Sequence, residues 1–173
     1  LPVDVLRDVV EKADGEMRTL FAVGLYCGLR LGDACRLAWE EVDLDRGAIV
    51  TTPHKTAGTS GAMVAIPISA PLRRVLETIR PAKPRGPIMP TMADMYTNNQ
   101  RQLVRRLQQH FTDCGIQTVE SVANRKRPRV VVGFHSLRHS FISHAAMAGW
   151  PESLVRAIVG HASPAVTRRY LHL

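Results

Sequence analysis

Between Val42 and Ser69 the hydrophobic pattern changes period, and that change constrains the fold more than any other feature of the chain. Upstream, Val5, Leu6, Val9 and Val10 form one helical stripe within Pro2 to Ala13, opened by a proline and stopped by Asp14-Gly15. Glu16 to Leu29 reads as a second helix, apolar at Leu20, Phe21, Val23, Leu25 and Tyr26, with Gly28 marking a break or a close approach. Gly32 to Trp39 continues as a short helix, with Asp33 in its first turn, where a carboxylate suits the helix dipole. From Val42 the period is two. Val42 to Thr52 reads as a strand pair turned at Asp45-Arg46-Gly47, and Val64, Ile66 and Ile68 line one face of a strand over Ala62 to Ser69. The small polar residues 53–61 between them have the composition of a mobile hairpin connection. Helical spacing returns at Ala70 to Ile79, Thr97 to Phe111, Ser136 to Ala148, Pro151 to Val159 and Pro164 to Tyr170. Pro81 to Pro87 is a breaker-rich loop, and Asn124 to Arg129 is a basic one, either a solvated excursion or a phosphate contact. The expectation is a mainly α fold with a small antiparallel β-sheet inserted among the helices, α+β in class.

A length of 173 residues suits one domain with a well-buried core. The net charge is +8, and 19 of the 23 basic residues are arginine. Arginine binds phosphate through a planar fork, so the bias favours a polyanion as partner. No polybasic run flanks a long apolar segment, which places nucleic acid ahead of a membrane surface. Cys27, Cys35 and Cys114 form neither an even disulfide set nor a metal spacing. Cys27 and Cys35 fall in apolar helices and read as buried thiols of a cytoplasmic protein, with no signal peptide or membrane span in view. The start at Leu1 and the end three residues after Tyr170 give the chain the look of an excised fragment.

The chemistry-bearing residues crowd the C-terminal quarter. His135 and Arg138 are three apart, so on a helix they share a face and can reach one phosphate. Gly160-His161 and Tyr170 follow. A tyrosine hydroxyl, with a reference pKa of about 10, is a weak nucleophile at neutral pH. It needs a proton acceptor nearby and cations to neutralise the phosphoryl oxygens. Each of these residues alone is an ordinary helix residue. Their order and spacing are what point to attack on a phosphodiester.

The boxes that carry them resemble those of the tyrosine recombinases, the phage integrase family. Cys27-Gly28-Leu29-Arg30-Leu31-Gly32-Asp33 resembles the first box, which supplies an arginine and, three residues on, an acid: Arg30 and Asp33. His54-Lys55-Thr56-Ala57-Gly58, followed by Val64-Ala65-Ile66-Pro67-Ile68, resembles the hairpin that carries a catalytic lysine, here Lys55. His135-Ser136-Leu137-Arg138-His139 resembles the His-x-x-Arg box, and Val159-Gly160-His161 with Tyr170-Leu171-His172 the closing pair. Departures are small. Val159 stands where leucine is common, and Arg169 where an apolar residue often precedes the tyrosine.

The resemblance implies a catalytic-domain fold spanning residues 1–173, without the amino-terminal helical domain that clamps the other face of DNA. It implies a site-specific DNA recombinase of bacterial, phage or mobile-element origin, acting on double-stranded DNA as a homotetramer on paired sites. Tyr170 would attack the scissile phosphate in line, forming a 3′-phosphotyrosine and freeing a 5′-hydroxyl. Arg30 and Arg138 would bind the non-bridging oxygens, His161 would donate a further hydrogen bond, and His135 would take the tyrosine proton. Lys55 would protonate the leaving oxygen as general acid, and Asp33 would orient an active-site side chain or simply serve the helix start. No cofactor is expected. The arginines perform the neutralisation that Mg²⁺ performs elsewhere, and no phosphate-binding Gly-rich loop with lysine is present to imply ATP. The rival readings are a type IB topoisomerase sharing this chemistry, a DNA-binding regulator with a spent site, and a metal-dependent hydrolase using His135, His139 and His161. The last has no carboxylates at ligand spacing.

Overall fold

The computed structural model describes residues 1–52, 63–121 and 128–159. Helix α1 (Val3–Glu11) and helix α2 (Gly15–Cys27) follow the expected stripes, α1 burying Leu6, Val9 and Val10. Helix α2 is the axis of the domain. Every residue from Thr19 to Leu25 is buried, and it packs against α1 and against most of the helices that follow. Helix α3 (Leu31–Arg36) begins immediately after Arg30, and a single 3-10 turn at Trp39–Glu41 leads into the sheet.

Strands β1 (Val42–Asp43), β2 (Ala48–Thr51) and β3 (Val64–Pro67) pair antiparallel in chain order, with Val42 opposite Ile49 and Ile49 opposite Ile66. Ile49 and Ile66 are fully buried while Ala65 between the β3 partners is exposed, the alternation of a one-faced sheet. At the turn between β1 and β2 the Asp43 carboxylate accepts the Arg46 backbone N–H at 2.8 Å. Thus the inserted sheet stands as its period-two pattern predicts.

Helix α4 (Ala70–Ile79) matches its expected bounds. The next segment departs from expectation. Instead of one helix from Thr97, there are two: α5 (Pro90–Asn98) and α6 (Gln100–Asp113), broken at Asn99. The reason is tertiary. Glu16, in the first turn of α2, accepts hydrogen bonds from Thr91 N, Thr91 Oγ1 and Met92 N at 3.2, 2.9 and 2.9 Å, capping α5 from a helix 75 residues away. A second departure is the pair β4 (Val119–Glu120) and β5 (Arg129–Val130), antiparallel, on either side of the expected basic loop and taking in its last residue, Arg129.

Helix α7 (Phe134–Met147) and helix α8 (Glu152–Val159) complete the described elements. Helix α7 lies closely on α2, because a Cβ at Gly24 would sit 2.6 Å from the Phe134 ring. Phe21 is the hub of the core, edge-on to Phe111 at 5.3 Å and 4.8 Å from the His110 ring. Strand β3 packs against α8, so the sheet flanks the helix that leads to residue 159. Cys27 and Cys35 are buried thiols, and burial pushes both up to about 12. Among the described residues no helix is long and apolar enough to cross a membrane.

Candidate active site

Four of the residues singled out in the sequence lie where the structure is described: Arg30, Asp33, His135 and Arg138. Lys55, His161 and Tyr170 lie outside the described residues, as does the expected helix from Pro164 to Tyr170.

The site is built at the C-terminal end of α2. Gly28 terminates that helix in the left-handed conformation, with φ +63°, and a Cβ there would lie 2.5 Å from the Phe141 ring of α7. Only glycine meets both conditions, so this one position turns the chain and admits α7. Two residues on, Arg30 is the N-cap of α3 in extended conformation. Its Nη1 lies 3.9 Å from Asp33 Oδ2, one helical turn away. At that distance the pair is an ion pair rather than a hydrogen bond, and Arg30 Nη1 is a buried donor with no hydrogen-bond partner among the described residues. Asp33 thus stands in the first turn of α3, beside the arginine. Below it, Arg36 donates to Gly32 O at 3.1 Å and covers the Tyr96 ring at 5.0 Å, docking α3 on α5.

Arg138 enters from α7. It is only 2% exposed, and its fork is divided between two backbone carbonyls. Nη1 donates to Gly28 O at 2.7 Å and Nη2 donates to Val159 O. One guanidinium thus ties the end of α2, just before Arg30, to the end of α8, just before Gly160-His161. Each charge-assisted bond of this kind contributes roughly 1.5–3 kcal/mol. The helical spacing of His135 and Arg138 predicts a shared face; the two differ in burial, Arg138 being buried while His135 is exposed at the first turn of α7.

His135 nonetheless feels the same cations. Its ring is lowered from the ordinary histidine value, first by the crowding that strips water from its covered side, then by His139, Arg138 and Arg30. The imidazole is therefore held neutral, the form that accepts a proton. His139, one turn along, meets His135 edge-to-face with centroids 4.5 Å apart and planes at 89°. It too is lowered, by burial and then by Arg138. Chemically, the arrangement offers two guanidiniums for an oxyanion and a neutral base beside them.

Sequence reasoning missed three participants: the carbonyls of Gly28 and Val159, which have no sequence signal, and the contact of His139 with His135. Their i, i+4 spacing on a helix was a legible signal for that contact. Among the described residues, no three His, Cys, Asp or Glu side chains gather as a metal site.

A model described as the phage integrase family matches residues 3–173. The tyrosine recombinase XerC of Chromobacterium violaceum is 26% identical over 179 residues, covering 100% of this chain and 55% of that protein. The crystal structure of XerA recombinase superposes with a TM-score of 0.70 at 22% identity, covering 100% of this chain and 58% of that one. The catalytic domain of bacteriophage HP1 integrase gives 0.65 at 23%, covering 99% and 86%. These two likenesses establish a tyrosine recombinase catalytic-domain fold. The chain spans about half the length of the curated relatives it matches. With the family model covering nearly every residue, the two arginine boxes meeting at one place belong to a member of the phage integrase family.

Proposed function

We propose that this chain is the catalytic domain of a site-specific DNA recombinase that breaks and rejoins strands through a 3′-phosphotyrosine. The observation that carries the reading is the meeting of the two boxes: Arg138 bonds the Gly28 carbonyl, two residues from Arg30, while both guanidiniums bear on His135. Charge accumulates on the non-bridging oxygens as a phosphodiester is attacked, and two guanidinium charges placed in advance suit it. His135, neutral and open on one side, takes the proton of Tyr170. Lys55 gives a proton to the leaving 5′-oxygen, and His161 adds a hydrogen bond to the phosphate. Asp33 keeps Arg30 oriented. The phosphotyrosine conserves the bond energy, so the 5′-hydroxyl of a second strand reverses the step without a nucleotide cofactor. Double-stranded DNA is the partner, consistent with the net charge of +8. Assembly is as a homotetramer on paired sites, in the cytoplasm.

The test is covalent capture. Full-length protein is incubated with a library of nicked duplexes, and adducts are isolated and mapped by mass spectrometry. The parent yields a DNA adduct on Tyr170, and Tyr170→Phe retains DNA binding but yields none. An adduct that persists in the Phe variant, or maps to Tyr26 or Tyr96, overturns the reading. Joining of strands from two different duplexes separates a recombinase from a topoisomerase that reseals its own strand.

A further inference from the structure

His139 belongs to none of the roles assigned above, yet it is the side chain that touches His135. The two rings meet edge-to-face, 4.5 Å between centroids and 89° between planes, one turn apart on α7. His139 is the more covered of the two: it is half-buried, on the wall of a hollow of about 260 Å³ that Val131, Val132, Ser136, Ser140 and Ser143 also line. The helix beneath is fastened at its start, where Ser136 Oγ accepts from Gly133 N at 3.2 Å and Ser140 Oγ donates to Ser136 O at 3.0 Å. His135, by contrast, is exposed. An exposed imidazole turns about two side-chain bonds, and a proton acceptor that wanders from hydrogen-bond reach loses its effect. The ring of His139 restricts that freedom.

We propose that His139 is a positioning residue, whose ring holds the imidazole of His135 in the orientation from which it accepts the nucleophile's proton. The inference rests on the role given to His135 under the proposed function. The charged and titratable groups that bear on His135 among the described residues are His139 and Arg138 from α7, and Arg30 from the α2–α3 junction. Of these, His139 is the one whose removal leaves both phosphate-binding arginines intact. Its loss frees the His135 ring and also relieves one of the influences that disfavour protonation there. Two readouts therefore separate: the rate at high pH reports orientation, and the position of the acid limb reports charge.

The experiment measures covalent cleavage against pH for the full-length parent, His139→Ala, His139→Phe and His135→Ala, with DNA affinity taken alongside. His139→Ala lowers the high-pH rate about 10-fold, a part of the roughly 10²–10⁴-fold that a general base contributes, without changing DNA affinity. His139→Phe keeps a ring edge against His135 and regains most of that rate. In both variants the acid limb moves to higher pH. The inference is overturned if both variants keep the parent's rate and limb, if His139→Phe is as slow as His139→Ala, or if affinity falls in step with rate. His135→Ala separates the two failures. If it is nearly inactive while the His139 variants behave as the parent, only the positioning role is lost. If it cleaves like the parent, the assignment of His135 falls, and the role of His139 with it.

Discussion

Arg30 and Arg138 carry the same charge into the same place with opposite degrees of commitment. Arg138 is buried with both terminal nitrogens bonded to carbonyls, whereas Arg30 has a loose ion pair and a side chain 26% exposed. Lysine keeps the charge but not the fork. Arg30→Lys is therefore expected to lose cleavage without lowering the unfolding midpoint, because a partly exposed pair contributes at most about 1 kcal/mol. Arg138→Lys loses cleavage and also about 2–4 kcal/mol of stability, from two severed charge-assisted bonds to buried carbonyls. Denaturant unfolding set beside covalent cleavage checks the split, and equal midpoints for the two variants would refute it. The identity of both arginines was legible from their boxes. The division of labour was not, because it depends on which carbonyls face Arg138, and carbonyls carry no sequence signal.

At the scale of elements, legibility followed the source of each element's stability. Helices that bury an apolar stripe announced themselves, as α1 and α4 did, and so did the alternating β3. Helix α5 did not, because it buries only Met92 and its start is satisfied by a carboxylate from another helix. The β4–β5 pair was hidden for a similar reason: all four of its residues are exposed, so no periodicity marks it. The joint between α2 and α7 was legible in part, since Gly28 flagged a break or a close approach and is both. Gly28→Ala forces a Cβ to within 2.5 Å of Phe141 at a φ of +63°. It should cost about 2–4 kcal/mol, the sum of overpacking and left-handed strain, and slow cleavage by displacing the carbonyl that holds Arg138. A variant with the parent's unfolding midpoint would show that α7 yields there without resistance.

For the molecule as a whole, fold class and family were legible because the boxes span the chain, while assembly of the site required the long-range packing of α2 with α7. One feature of that assembly reaches into thermodynamic linkage. Arg30 Nη1 is a buried donor with no acceptor among the described residues, and such a donor costs the folded state about 1–3 kcal/mol. An oxyanion that supplies the acceptor binds the native state and not the unfolded chain, so it shifts the folding equilibrium by mass action. Millimolar sulfate should raise the parent's melting temperature more than that of Arg30→Gln, and the difference removes the general salting effect common to both. Equal shifts would mean that the donor takes no part in anion binding. Where the difference holds, the same unmet bond that weakens the protein alone makes an oxyanion a ligand that stabilises the fold as it binds.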